Sequence, residues 1–122
     1  MSALPTEPEQ EPHAEQEKRE YHRLRFPFAE RPRLIIGKQD YEVVDCSVRG
    51  LRYASKRKPL VATGDRVEGI LQFRRRTQAP IRGLVVRIQN DEIALYLPDR
   101  EIPLIILLKE QRYLLDHYPM WS

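Results

Sequence analysis

Three polar residues in the middle of the chain have types and a spacing that could bind a ligand. The segment YEVVDCSVRGLRY, residues 41–53, contains Asp45, Ser47 and Gly50 in the pattern D-x-S-x-x-G. Asp and Ser side chains bond nearby backbone N–H groups and Gly tolerates positive φ, so these residues suit a tight turn. They equally suit a polar site that offers a carboxylate, a hydroxyl and an approachable backbone. The spacing alone leaves both interpretations open.

A basic segment, KREYHRLR, precedes this group at residues 18–25. Arg19 and Arg23 are four residues apart, so they share one face whether the segment is helical or extended. A guanidinium can hold a phosphate through two parallel hydrogen bonds and can stack on a planar base. The alternative is a basic arm that only lies along the protein surface.

Patterns typical of catalysis, cofactor binding or metal binding are missing from the sequence. It contains neither a Gly-rich phosphate loop nor a cluster of Cys and His, and Cys46 is its only cysteine. Ser47 has no His within its motif to act as a base. We therefore expect no catalytic residues, no metal and no cofactor, and an enzyme is the least favoured class.

The elements that would position these residues are mostly strands. Alternating apolar runs bounded by turn residues predict six strands, as in a small barrel or sandwich. The predicted strands are 33–36, 41–44, 51–54, 67–73, 81–89 and 92–97.

The end of the chain has helical periodicity instead. Residues 102–118 are predicted to form an amphipathic helix, with Pro103 in its first turn. Its apolar stripe consists of Leu104, Leu107, Leu108, Leu115 and Tyr118. Such a helix either covers the core or contacts a partner, which includes a second copy of the chain.

Charge is divided unevenly along the chain. Residues 1–17 contain five Glu and no Lys or Arg, so the remaining residues carry +3 − (−5) = +8. The acidic segment is too poor in apolar residues to order itself. The basic remainder suggests an anionic partner, or else a well-solvated surface. No apolar run approaches the ~20 residues of a membrane span, and no secretory signal begins the chain. We expect a cytoplasmic protein with one domain.

The order of the two polar groups, one hairpin apart, resembles the PilZ domain family. That family has R-x-x-x-R, then a β-hairpin, then [D/N]-x-S-x-x-G, and both motifs are intact here. The similarity covers about residues 17–118. It implies a mainly β domain, a six-stranded antiparallel barrel with a C-terminal helix. The implied organisation is a disordered acidic tail at 1–17 and a PilZ domain at 18–122. Within that domain the arm is 18–25, the barrel about 31–97 and the helix about 102–118.

The resemblance also implies a function, namely that of a bacterial receptor for the second messenger cyclic di-GMP. By position in the motifs, Arg19 and Arg23 would contact phosphates and guanine faces. Asp45, Ser47 and Gly50 would line the barrel face against the guanine and ribose. Two further residues are possible additional contacts of the ligand. Lys18 precedes the first motif and favours a stacked pair of ligands, and Arg49 is a third phosphate contact if it points inward.

Signalling in this interpretation is an order–disorder switch. Residues 1–25 would be mobile until the anionic ligand clamps the arm to the barrel. The surface so formed would act on a protein partner in motility, adhesion or polysaccharide machinery.

Two other classes of protein compete with a receptor. A nucleic-acid-binding barrel would use Lys56–Lys58 and Arg74–Arg76, although no aromatic residues are interleaved for stacking bases. A solvated hairpin end is the favoured interpretation of Arg74–Arg76. A ligand-independent interaction protein would use the apolar C-terminal helix.

Overall fold

The computed structural model describes residues 23–121. Within that range it contains seven strands, one short 3-10 helix and one α-helix. The strands are β1 (Leu24–Arg25), β2 (Arg33–Ile36), β3 (Gln39–Ser47), β4 (Gly50–Ala54), β5 (Arg66–Gln72), β6 (Gln78–Gln89) and β7 (Glu92–Arg100). The 3-10 helix spans Phe28–Glu30 and helix α1 spans Leu104–His117. Among these residues no helix is long and apolar enough to cross a membrane.

Strands β2 to β7 form a closed antiparallel barrel, which confirms the predicted fold class. Their order is β3-β2-β5-β6-β7-β4, and β4 pairs back to β3 to close the ring. Closure leaves these six strands without a free edge, which removes the risk of pairing with another chain. Strand β1 adds two residues alongside β3.

Short turns set the register of the barrel. Asn90 and Asp91 join β6 to β7 with φ values of 55° and 63°. Positive φ at both central residues is the geometry that matches the twist of a two-residue hairpin. The predicted loop at 37–40 is shorter in the structure, because β3 already begins at Gln39 and Gly37 turns the chain with φ of 60°.

The interior of the barrel follows the alternation of the strands. Inward side chains on β4 and β7 include Leu51, Tyr53 and Leu95, which are almost fully buried. Burying a large apolar side chain away from water stabilises the folded state by about 1.5–3 kcal/mol. Burial raises the pKa of Tyr53 to about 12. The residues between them, such as Arg52 and Tyr96, point outward from the barrel and are partly exposed to solvent.

Helix α1 packs on the barrel through a different face from the one predicted. Its buried residues are Leu107, Glu110 and Leu114. Three members of the predicted stripe point to solvent instead, since Leu104, Leu108 and Leu115 are each about half exposed. The predicted stripe did not include Glu110, which the structure buries beside an arginine from the barrel.

That arginine is Arg75, in the turn between β5 and β6. Its Nη2 donates to Glu110 Oε1 at 3.1 Å and to Glu30 Oε1 at 2.9 Å, and its guanidinium lies 3.7 Å from the centre of the Tyr113 ring. The Tyr118 hydroxyl donates to the other oxygen of Glu30 at 2.8 Å. This network, Arg75–Glu30–Glu110–Tyr118, joins the helix to the barrel. The prediction of a solvated hairpin end is therefore wrong for Arg75.

The segment before β2 is attached to the barrel from residue 24 onward. We predicted mobility through residue 25, but Leu24 and Arg25 pair with Cys46 and Asp45 on β3. Leu24 and Phe26 are buried in the core and supply the apolar anchor that the prediction had overlooked. The predicted acidic tail and residues 18–22 of the arm lie outside the described residues.

Candidate functional site

The site residues on the barrel lie at one end of the hairpin formed by β3 and β4. Asp45 and Ser47 are on β3 itself, because this strand continues past the predicted end at Val44. The turn is reduced to two residues, and Ser47 pairs directly with Gly50 at the start of β4. Asp45 and Ser47 are two residues apart on a strand, so their side chains emerge on the same face. Here the D-x-S-x-x-G pattern forms a surface of the barrel wall as well as a turn.

Arg23 is brought to this surface by the pairing of β1 with β3. Leu24 is opposite Cys46, so Arg23 comes level with Ser47. The Arg23 Nη1 donates to Asp45 Oδ1 at 2.7 Å. One residue of each predicted motif therefore meets in an ion pair. The Arg23 side chain remains 45% exposed, which leaves further donors available on its guanidinium.

Asp45 is the buried centre of the arrangement. Its side chain has no exposed surface, and both carboxylate oxygens are engaged by arginines. Oδ1 accepts from Arg23, and Oδ2 accepts from Arg52 Nε at 3.0 Å and from Arg52 Nη2. Burying a carboxylate is costly unless it is paired and hydrogen-bonded, and these contacts provide that compensation. Asp45 thereby fixes two guanidinium groups on the outer wall.

Arg52 is the site residue that the motif did not identify. It lies opposite Asp45 on β4, and its pKa is raised, chiefly because its guanidinium hydrogen-bonds the Asp45 carboxylate. Its Nη1 is 3.6 Å from Glu92 on β7. Strand alternation was the available signal, because position 52 lies between inward Leu51 and Tyr53 and must face outward with Asp45.

Gly50 forms the floor next to Arg23. A Cβ at this position would lie 3.3 Å from Arg23 Nη2 and 3.3 Å from the carbonyl oxygen of Leu95. The φ of Gly50 is not in the left-handed region, so close approach rather than backbone strain accounts for a glycine here. The Ser47 hydroxyl donates to the Gly50 carbonyl oxygen at 3.5 Å, a long contact, and Ser47 is itself buried.

The nucleophilic groups near the site have no activating partners among the described residues. Cys46 is fully buried, and burial raises the pKa of its thiol, which keeps it protonated. His117 is on helix α1, where its Nδ1 lies 2.9 Å from the carbonyl oxygen of Tyr113. No group of three or more potential metal ligands occurs within residues 23–121.

The remaining predicted contacts have different positions. Lys18 and Arg19 lie outside the described residues. Arg49 has its Nε 3.2 Å from the Glu101 carboxylate, at the junction of β7 and helix α1. Its role as a ligand contact stays a prediction.

The two basic clusters proposed for nucleic acid do not form one continuous surface. Arg75 is engaged in the contacts with Glu30 and Glu110 that join the barrel to helix α1. Lys56–Lys58 instead lines a groove of about 450 Å³ together with Tyr41 and Glu42. That groove is separate from the surface around Asp45.

A closed barrel with a cluster of arginines around a buried carboxylate on its wall defines a small binding domain. Comparison with protein families identifies it further, because the model for the PilZ domain matches residues 17–108. The chain belongs to the PilZ domain family, which confirms the resemblance carried by the two motifs. The family is of the cyclic di-GMP-binding type.

Comparisons with individual proteins add information on the fold. A crystal structure of an uncharacterized Legionella protein, Lpg0364, superimposes with a TM-score of 0.55 at 20% sequence identity. The match covers 75% of this chain and 95% of the Legionella chain. At this identity the likeness concerns the fold alone. A search of curated proteins found no match.

Proposed function

We propose that this protein is a bacterial, cytoplasmic receptor for cyclic di-GMP with a binding rather than a catalytic role. The ligand is held between the arm, residues 18–25, and the outer wall of the barrel. Arg19 and Arg23 contribute from the arm, and the wall contributes the D-x-S-x-x-G residues Asp45, Ser47 and Gly50. Family membership supports the ligand class.

The observation that carries the proposal is the ion pair of 2.7 Å between Arg23 and Asp45. Residues 22 positions apart, each singled out by its own motif, meet on one surface. Asp45 accepts through one oxygen from Arg23 and leaves that guanidinium partly exposed, so it can also bond a phosphate or a base. A cyclic dinucleotide carries two phosphates, which arginines hold by charge-assisted hydrogen bonds.

The same groups favour guanine over adenine. Guanine presents two adjacent acceptors, O6 and N7, to an arginine fork, whereas adenine presents a donor in place of O6. We therefore expect cyclic di-GMP to bind about tenfold or more tightly than cyclic di-AMP, since a good bidentate contact discriminates by about 1–3 kcal/mol.

Isothermal titration calorimetry with cyclic di-GMP tests this function through Arg23→Ala. Charge-assisted hydrogen bonds contribute about 1.5–3 kcal/mol, so we expect about a tenfold to hundredfold loss of affinity. Arg82→Ala is the matched control, because Arg82 on β6 is 48% exposed and pairs with Glu68 at 3.1 Å. It removes the same charge from an arginine of similar exposure, in an exposed ion pair away from Asp45.

We expect the wild type and Arg82→Ala to bind with micromolar or tighter affinity. An affinity for cyclic di-GMP that is the same in Arg23→Ala as in the wild type would contradict the assignment of the site. Absence of wild-type binding would favour a ligand-independent interaction protein. Equal binding of short RNA oligonucleotides that weakens steeply with salt would favour a nucleic-acid-binding barrel.

Signal transfer in this proposal occurs by ordering of the arm. Because Arg23 and β1 lie on the barrel, this ordering concerns the arm before Arg23, residues 18–22. The anionic ligand offsets the repulsion between these basic residues and the basic barrel, so they close over the wall and present a new surface. A protein partner in motility, adhesion or polysaccharide machinery recognises that surface. Lys18 favours two stacked ligands per chain, and the calorimetric stoichiometry tests this directly. A homodimer through helix α1 is part of the same proposal.

A further inference from the structure

An exposed tyrosine lies next to the site on the neighbouring strand. In the pairing of β4 with β7, Tyr96 is opposite Gly50. Leu95 and Leu97 on either side of it fill the barrel core, so Tyr96 faces the outer wall, where it is 42% exposed. Neither motif includes this residue.

Tyr96 shares its face with the Arg23 guanidinium. The Arg23 Nη2 lies 3.3 Å from the point that a Cβ on Gly50 would occupy, so this guanidinium lies over Gly50. Residues directly opposite on antiparallel strands have Cβ positions about 4.5–5.5 Å apart. Because Gly50 has no side chain, none of its own atoms separates Arg23 from Tyr96.

The ring of Tyr96 is not used within the part of the chain that the structure describes. Over residues 23–121 it forms no aromatic pair and its hydroxyl forms no hydrogen bond. Tyr41 and Tyr113, by contrast, pack against Tyr53 and His117. A partly exposed ring that forms no aromatic or cation–π contact among these residues is suited to stacking on a planar base.

The next row of residues on the same wall supplies positive charge. Arg52 and Arg87 are each paired with Ala94 of β7, which lies between them. The small Ala94 side chain leaves a cleft of about 60 Å³, lined by both arginines and by Glu92. The outer wall therefore combines the aromatic ring of Tyr96 with the guanidinium groups of Arg52 and Arg87. An anionic ligand that contains bases requires both kinds of group.

We propose that Tyr96 is a further binding residue of the ligand site, on which a guanine base of cyclic di-GMP stacks beside Gly50. This inference rests on the proposed function and extends the site from β3 and β4 to β7. It assigns the aromatic contact that the two motifs lack, since they supply only charged, hydroxyl and glycine positions.

Calorimetry with cyclic di-GMP on Tyr96→Phe, Tyr96→Leu and Tyr96→Ala tests the stacking role. We expect Tyr96→Phe to bind within about twofold of the wild type, because the ring is kept. Tyr96→Leu keeps apolar area without a π face, and we expect it and Tyr96→Ala to lose about tenfold or more. Phe28→Leu is the control, since Phe28 is an aromatic residue of the 3-10 helix and is 68% exposed.

The outcomes separate this inference from the function on which it rests. Wild-type affinity in Tyr96→Leu, together with lost binding in Arg23→Ala, overturns the role of Tyr96 and leaves the receptor function intact. No binding by the wild type overturns both. Circular dichroism melting of each variant verifies folding, and the conservative Tyr96→Leu decides the matter where Tyr96→Ala is unstable.

Discussion

Gly50 allows the role of close approach at the site to be measured with one methyl group. In Gly50→Ala the new Cβ would lie 3.3 Å from both Arg23 Nη2 and the Leu95 carbonyl oxygen. The backbone carbonyl is held in the barrel, whereas the end of the arginine is free to move, so we expect Arg23 to be displaced. Affinity for cyclic di-GMP should fall about tenfold, and the free energy of unfolding should fall by about 1 kcal/mol or less.

Chemical denaturation of Gly50→Ala, measured beside its calorimetric titration, distinguishes displacement from loss of fold. Unchanged affinity with unchanged stability would mean that the position of Arg23 over Gly50 is unimportant for binding. A loss of several kcal/mol in stability would instead show that the Leu95 carbonyl cannot yield.

Single residues of the candidate site were predictable where they belong to a motif with a defined spacing. The D-x-S-x-x-G and R-x-x-x-R patterns identified Arg23 and Asp45, which the structure joins in an ion pair. Arg52 belongs to neither pattern. Its contact with Asp45 depends on the β3–β4 register, with a shift between Val43 and Asp45 that the sequence does not specify.

At the scale of elements, Glu30 links the 3-10 helix to helix α1. Burial opposes ionisation of Glu30, but hydrogen bonds from Tyr118 and Arg75 and the charge of Arg75 outweigh it, so its pKa is lowered from 4.5. A carboxyl with a lower pKa in the folded state stabilises the fold above its unfolded pKa. That stabilisation is lost as the pH falls through the folded pKa.

We therefore expect Glu30→Gln to be less stable than the wild type by about 1 kcal/mol at about pH 7. The difference should begin to shrink below about pH 4.5, where Glu30 of the unfolded chain takes up a proton, and it should be lost as the pH falls through the lower pKa of folded Glu30. Urea denaturation at a series of pH values measures this. Glu68→Gln is the control, since Glu68 is 71% exposed and its surface pair with Arg82 contributes little. A difference that is constant with pH would contradict the role of the ionised carboxylate.

Elements with long, regular patterns were predictable, and those that depend on tertiary contacts were not. All six barrel strands correspond to predicted apolar runs, and helix α1 ends within two residues of the predicted limits at each end. Strand β1 has two residues and no pattern of its own, so only its pairing with β3 defines it. The predicted buried face of the helix was wrong, because Glu110 is buried in contact with Arg75, which lies 35 residues away in the sequence.

At the scale of the whole molecule, two surfaces within residues 23–121 are candidates for recognition. One is the barrel wall around Asp45, where arginines collect. The other is the outward stripe of helix α1, consisting of Leu104, Leu108 and Leu115, which are 51%, 48% and 56% exposed. Residues spaced i, i+4 and i+11 lie along one side of a helix, and Gln111 lies between Leu108 and Leu115 on this side. An exposed apolar stripe of this kind is suited to association with another chain.

We expect this stripe to mediate self-association of the protein. Leu104→Glu combined with Leu108→Glu places two like charges on the stripe, and their desolvation would oppose contact between two copies. Sedimentation equilibrium should show a dimer for the wild type and a monomer for the double variant, while ligand affinity remains within about twofold because neither residue is on the Asp45 wall. Ile70→Glu is the control, since Ile70 is a 37% exposed apolar residue on β5 of the barrel. A wild type that sediments as a monomer at all concentrations would contradict self-association and leave a different protein as the partner of the stripe. A double variant that remains dimeric would show that the dimer contact lies elsewhere on the protein.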